Sequence, residues 1–173
     1  ARNIVKADYP LREALLSVLP LCDDFVIAVG DSDDGTKEYL QAMQEPKIRL
    51  FDTIWDDNKR VGGAVLADET NKALATVPTD ADWLLYIQAD ECLHERYVPM
   101  VRAAMEKYLH DDEVDALLFD YLHFYGNYSM VGDSRRWYRN EIRIIKNHRN
   151  IISWKDAQGF RTADAKKLKV AHC

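Results

Sequence analysis

The sequence predicts an α/β fold in which a mostly parallel sheet is flanked by helices. Amphipathic segments alternate with short apolar runs over residues 1–110, an order typical of sheets whose parallel strands are covered on both faces. The run FVIAV at 25–29 is apolar at every position, as expected for a fully buried strand. At 173 residues and 47% hydrophobic composition, the chain is long enough for one domain with a substantial core.

Proline and glycine residues delimit the individual elements. Pro10 opens the first helix and Pro20 ends it, Gly30 follows the first strand, and Pro46 ends the helix that Thr36 is expected to cap. We predict helices at 11–19, 36–43, 64–75 and 97–109, and strands at 25–29, 47–54, 82–88, 114–125, 142–146 and 151–154.

The chain changes character after about residue 110, where short strands replace the alternation of helix and strand. No segment rich in proline, glycine or serine separates the two parts. We therefore expect one domain over 1–173, with a regular part at 1–110 and a less regular part at 111–173. We also expect the sequence to be part of a longer protein.

Charge and composition exclude several classes of protein. The net charge of -6 argues against a nucleic-acid partner, because phosphate binding favours a basic surface. No apolar run approaches the roughly 18 residues that a membrane span needs. Three cysteines far apart in sequence fit free thiols in a reducing compartment, which favours a cytoplasmic location.

Two of the predicted strands end in acidic loops, VGDSDDGT at 29–36 and YIQADE at 86–91. In a parallel sheet both loops lie at the same edge, where ligands bind. Adjacent carboxylates such as Asp90 and Glu91 are suited to Mg²⁺ or Mn²⁺, whose remaining ligands are water and substrate phosphates. Capping of the next helix explains these two acids equally well. Asp31 either caps a helix or accepts hydrogen bonds from a ribose or base, whereas Asp33 and Asp34 favour capping.

The two loops resemble motifs of family 2 glycosyltransferases. VGDSDDGT is similar to their VDDGSTDGT loop, and QADE is similar to the DADE form of their aspartate-x-aspartate motif. Four further segments occur in the order that the family shows. They are RNIVKADYP, RVGGAVLADETNKAL, RRWYRNEIRIIKN and WKDAQGFR, the last two similar to a bacterial subgroup at the start of its acceptor side.

The resemblance implies a Rossmann-like, A-type glycosyltransferase fold. Residues 1–110 would bind a nucleotide diphosphate sugar, and residues 111–173 would form the acceptor side. The acceptor would be a saccharide or a lipid-linked sugar in polysaccharide biosynthesis, with inverting transfer and peripheral association with the inner face of a membrane. Asn3 and Asp31 would contact the nucleoside. Asp90 would bind Mg²⁺ or Mn²⁺, helped by Glu91 and His172.

Two positions depart from the family pattern. Gln88 replaces the first motif aspartate, so one carboxylate fewer is present and metal affinity should be lower. Asp68 stands where relatives often carry an arginine, and an acid there cannot neutralise a diphosphate. Lys59 or Arg60 would supply the missing positive charge.

An inverting transfer needs a general base that deprotonates the acceptor hydroxyl. The resemblance places this base in a loop after the acceptor-side strands, with Asp156 as the first candidate and Asp133 as the second. Glu141 is expected inside or at the start of a strand. Each of these acids is equally well explained as a surface group paired with a neighbouring arginine.

The sequence leaves three alternatives to sugar transfer to be weighed against its motifs. A haloacid-dehalogenase-like phosphatase carries aspartate-x-aspartate-glycine-threonine, but Ser32 stands where its first aspartate would be. A nucleotidyltransferase would open with a glycine-rich phosphate loop, which seven glycines in the whole chain do not supply. A non-catalytic nucleotide-binding domain is compatible with Gln88.

Overall fold

The computed structural model describes residues 1–59, 61–148, 150–157 and 159–173, and it confirms an α/β fold. Within these residues the longer helices are α1 (Leu11–Val18), α2 (Thr36–Ala42), α3 (Ala64–Leu74) and α4 (Val98–Tyr108). The strands are β1 (Phe25–Gly30), β2 (Ile48–Thr53), β3 (Trp83–Leu85), β4 (Ala116–Asp120), β5 (Phe124–Tyr125), β6 (Asn127–Val131), β7 (Asn140–Lys146), β8 (Ile151–Trp154), β9 (Gly159–Thr162) and β10 (Val170–His172).

All four predicted helices are present within two residues of their expected ends. The apolar residues of α1 recur at helical spacing and are buried, which explains why this segment is helical. One capping prediction is wrong: Thr36 is the first residue of α2, and Gly35 precedes it with φ 83°. Thr36 donates instead to Asp34 Oδ1, through its amide at 3.0 Å and its hydroxyl at 2.6 Å. Asp34 therefore holds the start of α2.

The parallel character of the sheet is observed only in part. Strands β1 and β2 pair in parallel and in register from Phe25 with Ile48 to Gly30 with Thr53. Among the described residues, however, they form a sheet of two strands. A second sheet has the order β10-β4-β7-β3, in which β7 is antiparallel to both of its neighbours and β10 is parallel to β4. The chain reverses through β5 and β6 before β7, which accounts for the antiparallel strand.

The core consists of three clusters of buried apolar side chains, because successive residues of a strand point to opposite faces. The first lies between β1 and the helices α1 and α2. The second packs one face of β4 and β7 against α4, and the third packs their other face against β8 and β9. Leu117 and Ile144 belong to the second cluster, whereas their chain neighbours Ala116 and Ile145 belong to the third.

Two predicted strands are shorter than expected. The run at 114–125 is interrupted after Asp120, and β5 and β6 form an exposed hairpin instead of a continuation of β4. Strand β3 ends at Leu85, although the Tyr86 amide still donates to the Arg143 carbonyl at 2.8 Å. In the described part of the chain, no helix is both long and apolar enough to cross a membrane.

Candidate functional site

A cleft separates the two sheets, and we call it the central cleft. It encloses about 920 Å³ and is lined by β1, β3 and one side of α1 and α3. Its lining includes five residues near the carboxyl ends of β1 and β3, which we call the cleft mouth: Ala1, Arg2, Trp55, Gln88 and Asp90. The second acidic loop lines the cleft through Gln88 and Asp90, whereas the first is connected to it through the contacts of Asp31 with Arg2 and Trp55.

The first acidic loop contributes Asp31 beside the cleft mouth. Its carboxylate accepts from the Arg2 guanidinium at 3.1 Å and from the Trp55 amide at 3.3 Å. Arg2 also bonds Asp57 at 3.1 Å, and its guanidinium lies 5.4 Å from the centre of the Trp55 ring. The Asp31 side chain is still 48% exposed, so a ligand can reach it.

Trp55 packs directly on the end of β1. A Cβ added at Gly30 would lie 2.4 Å from the Trp55 indole nitrogen, so only glycine leaves room for this ring. The indole N–H is buried, and no acceptor among the described residues bonds it. A buried donor without a partner is costly.

The N-terminal segment is tied to the first acidic loop by main-chain and side-chain hydrogen bonds. The Asn3 amide donates to Ser32 Oγ at 3.0 Å, and Asn3 Oδ1 accepts from the Asp33 amide at 3.3 Å. The Lys6 amide donates to Asp34 Oδ2 at 2.8 Å. Asn3 thus bonds the two residues that follow Asp31, and its side chain orders the loop.

The acids of the second loop have different environments. Asp90 is exposed, and its carboxylate forms no ion pair with a described cation. Glu91 forms a bidentate pair with Arg143, with contacts of 2.6 Å and 2.9 Å, and its side chain is 11% exposed. Because Arg143 occupies both Glu91 oxygens, a metal would have to displace a buried arginine to use them.

Gln88 joins this network instead of pointing outward. Its main-chain N–H donates to Glu91 Oε2 at 3.1 Å, and its side-chain Nε2 donates to the Tyr86 hydroxyl at 3.3 Å. The Arg143 guanidinium lies 5.4 Å from the Tyr86 ring and 5.2 Å from the Tyr121 ring. Burial raises the pKa of both tyrosines, so their hydroxyls stay protonated.

Glu141, at the start of β7, is the acid with the most perturbed environment in this region. Burial raises its pKa to about 7, the Arg143 charge opposes that rise, and the charges of Asp156 and Glu91 add to it. The sequence correctly placed Glu141 in a strand. It gave no sign of the raised pKa, because the burial comes from residues distant in the chain.

Asp156 lies at the N-terminal end of α3, where a Cβ added at Gly63 would come within 2.4 Å of the Asp156 Cβ. Asp156 and Glu141 line a second cavity of about 370 Å³ together with Trp154, Lys155 and Arg161. We call this the C-terminal pocket. The first predicted base and Glu141 are therefore neighbours. Asp133, the second predicted base, is exposed after β6 and lines neither cavity.

The three predicted metal ligands do not converge in the structure. His172 lies on β10, which is separated from β3 by two strands, or by roughly 14 Å at ordinary strand spacing. The residues that the structure describes contain no group of three histidine, cysteine or acidic side chains able to hold a metal. Asp90 fits a site in which one carboxylate, water and phosphate hold the ion.

Lys59 and Arg60 are the cations predicted to face a diphosphate. Lys59 bonds Asp68 at 3.1 Å, and this lysine is the main cause of the lowered pKa of Asp68. Lys72 also reaches Asp68, at 3.4 Å. Arg60 lies outside the described residues. Asp68 therefore neutralises Lys59, one of the two cations that were expected to face a diphosphate.

The sequence matches no known family model and none of the curated proteins. The site has to be interpreted from its own geometry.

Three side chains of the candidate site were given no role from the sequence: Trp55, Arg143 and Glu141. The one local signal was Gly30, since a glycine at the end of a strand often allows a close approach.

Proposed function

We propose that the chain binds a nucleotide diphosphate sugar at the cleft mouth and transfers the sugar to an acceptor hydroxyl. One observation carries this proposal. Asp31 bonds Arg2 and the Trp55 amide of the cleft mouth, to which the exposed Asp90 also belongs. In open α/β proteins, ligands bind beyond the carboxyl ends of strands, and the cleft mouth has that position.

The nucleoside would occupy the side of the cleft mouth next to the first acidic loop. A ribose has hydroxyl donors that suit the exposed Asp31 carboxylate. Asn3 would order the loop, and the neighbouring Asp31 would contact the nucleoside directly. The A-type, Rossmann-like arrangement is part of this proposal, because it places a nucleoside at this strand end.

The diphosphate would lie toward Asp90. Mg²⁺ or Mn²⁺ bound there would stabilise the negative charge of the leaving diphosphate. Arg2 lies at the cleft mouth, although Asp31 and Asp57 already neutralise part of its charge. Glu91 would keep Arg143 in place and would not bind the ion.

Glu141 replaces Asp156 as the favoured general base. A base works best when its pKa is near the working pH, and the Glu141 pKa of about 7 meets this condition. Glu141 would take the proton of the acceptor hydroxyl as the oxygen attacks the anomeric carbon and the diphosphate leaves. Asp156 would hold the pKa of Glu141 high through its negative charge.

The acceptor would enter through the C-terminal pocket. Trp154 lines this pocket, and Tyr138 is near enough to Glu91 and Asp90 that their charges add to burial in raising its pKa. Flat aromatic faces of this kind pack against sugar rings. A saccharide or lipid-linked sugar acceptor, and a cytoplasmic site at the inner face of a membrane, belong to the same proposal.

Titration calorimetry with a panel of nucleoside diphosphates, with and without Mn²⁺, tests this function. We expect one nucleotide to bind, with an affinity that Mn²⁺ raises and that D90N lowers at least about tenfold. D133N is the matched control, because Asp133 lies outside both cavities. Absence of binding to any nucleotide, or equal effects of the two substitutions, would overturn the proposal.

A nucleotide-binding domain without transfer is the second candidate. The observation that favours it is the bidentate Glu91–Arg143 pair, which leaves Asp90 as the one free acid of the QADE segment. Such a domain would bind a nucleotide but release no nucleoside diphosphate from a nucleotide sugar. An assay of diphosphate release with the best-bound donor and simple saccharide acceptors separates the two candidates.

A further inference from the structure

Strands β5 and β6 form a hairpin whose apolar side chains face solvent. Every residue from 124 to 131 is exposed, and among the described residues the two strands pair only with each other. Exposed apolar side chains clustered in this way mark binding sites for other proteins or for membranes. Six large ones lie in the hairpin and just before it: Leu122, Phe124, Tyr125, Tyr128, Met130 and Val131.

Both faces of the hairpin carry these side chains. Successive residues of a strand point to opposite faces, and the successive residues Met130 and Val131 are each 53% exposed. Phe124 and Tyr125 are likewise both exposed. A protein partner, such as a second copy of the chain, covers one face of a hairpin, whereas the apolar layer of a membrane surrounds both. Exposure on both faces therefore favours lipid.

The base of the hairpin is held by aromatic packing. The rings of Tyr121 and Tyr138 meet edge to face with centres 5.2 Å apart, and the centre of the His123 ring lies 5.0 Å from that of Trp137. Trp137 also packs on Gly132, where an added Cβ would lie 2.6 Å from the indole nitrogen. A two-stranded hairpin is marginally stable by itself, so this packed base is what presents the exposed end.

Exposed arginines follow the hairpin directly. Residues 121–132 contain no lysine, arginine, aspartate or glutamate, whereas residues 133–139 contain three arginines and one aspartate. Arg135, Arg136 and Arg139 are all exposed, and none of them forms an ion pair with an acid in the described part of the chain. This short segment is therefore positively charged in a chain whose net charge is -6, and it would turn the hairpin toward an anionic surface.

Exposed apolar side chains beside unpaired cations are the two features that attach a protein to an anionic membrane. Tyrosine is suited to the membrane surface because its ring is apolar and its hydroxyl is polar. Arginine is attracted to the phosphates of anionic lipids. We propose that the β5–β6 hairpin inserts into the surface of an anionic lipid bilayer, with Tyr128 and Met130 in the apolar layer and Arg135 and Arg136 at the lipid phosphates.

Attachment by this hairpin would bring the candidate site close to the lipid. The Tyr121 ring at the hairpin base lies 5.2 Å from the guanidinium of Arg143, which is paired with Glu91. A docked chain would therefore hold the Glu91–Arg143 pair near the membrane surface, where an acceptor sugar attached to a lipid would be within reach. This consequence rests on the proposed function. The attachment itself does not, because it needs no nucleotide.

Flotation with lipid vesicles, in the absence of nucleotide and metal, tests the attachment. We expect the chain to bind mixed vesicles of phosphatidylcholine and phosphatidylglycerol at least about tenfold more tightly than vesicles of phosphatidylcholine alone. Y128S/M130S removes two exposed apolar side chains of the hairpin and should weaken binding to the mixed vesicles at least about tenfold. Its matched control is Y39S/M100S, which removes the same residue types from exposed positions of α2 and α4 and should bind like the parent chain.

A second pair of variants tests the contribution of charge. R135Q/R136Q keeps the apolar hairpin but should weaken binding to the mixed vesicles on the order of tenfold and reduce the preference for phosphatidylglycerol. R12Q/R96Q removes the same charge from exposed positions elsewhere and should change binding much less. Urea denaturation of all four variants checks that each is folded.

Three results would overturn the proposal. The first is absence of binding to the mixed vesicles, and the second is an equal effect of the hairpin variants and their matched controls. The third is a dimer in lipid-free buffer that Y128S/M130S abolishes, which would assign the hairpin to a second copy of the chain. Nucleotide binding is measured separately by calorimetry, so failure of the attachment and failure of the proposed function are distinguishable.

Discussion

Glu91 and Arg143 form a bidentate ion pair 52 residues apart in the chain, with Arg143 5% exposed. The pair joins the second acidic loop to the middle of β7. Its effect on the site is positional, because it fixes Glu91 away from solvent while the adjacent Asp90 remains exposed. The acidic loop therefore presents one carboxylate to a ligand.

Loss of Glu91 should destabilise the protein strongly. E91Q leaves the buried Arg143 without a counter-charge, and removal of one member of a buried pair costs about 3–5 kcal/mol. The free energy of unfolding, measured by urea denaturation, should fall by about this amount. D164N, which breaks the exposed pair between Asp164 and Lys166, is the control and should cost under about 1 kcal/mol.

The double variant E91L/R143M separates the buried charge from simple loss of packing. It removes both charges and keeps side chains of similar volume, so it should recover part of the stability that E91Q loses. A double variant as unstable as the sum of the two single variants would show that the pair itself contributes nothing.

Glu141 should make the stability of the protein depend on pH. Its pKa is raised to about 7, from an ordinary value of 4.5, so the folded chain holds the proton more tightly than the unfolded chain. The resulting stabilisation is complete below pH 4.5 and is lost as pH rises through 7. E141Q should therefore match the parent chain near pH 4 and be the more stable of the two at pH 8.

Sugar transfer gives a second measurement on the same variant. If Glu141 is the base, E141Q abolishes transfer while it stabilises the fold at pH 8, and the parent rate rises through an apparent pKa near 7. A merely structural acid would leave the rate of E141Q close to that of the parent. D133N is again the matched control, and it should change neither the stability profile nor the rate.

Local sequence signals predicted much of the fold. Helix α1 was predicted because its apolar residues recur at helical spacing after Pro10, and such periodicity does not depend on distant contacts. Asp31 and Asp90 were predicted because each follows an apolar run, and such a run is a pattern of neighbouring residues. In the structure Asp90 lines the central cleft, and Asp31 bonds two residues that line it.

Features that depend on long-range contacts could not be predicted. Glu91 looked like a second metal ligand because its partner Arg143 is far away in sequence. The raised pKa of Glu141 depends on burial that only the folded chain creates. The division into two sheets could not be predicted either, because the apolar runs of β1 and β3 do not show which strands pair with each other.

Two adjacent glycines give a final prediction about Asp156. Gly62 and Gly63 both have positive φ values, 66° and 72°, but only Gly63 is close to another segment. A Cβ at Gly63 would lie 2.9 Å from the Asp156 Cα, so the backbone of that loop must move. G62A should cost only the strain of a left-handed alanine, about 1–2 kcal/mol, because its Cβ meets no described atom within 4 Å.

G63A should cost this strain and a further amount of about 1–3 kcal/mol from the forced displacement of Asp156. Moving the Asp156 charge away from Glu141 should also lower the Glu141 pKa, since that charge helps to raise it. Urea denaturation of both variants gives the two costs, and the pH dependence of their stability gives the change in the Glu141 pKa. Equal stability of G62A and G63A would contradict the close packing of Asp156 on the start of α3.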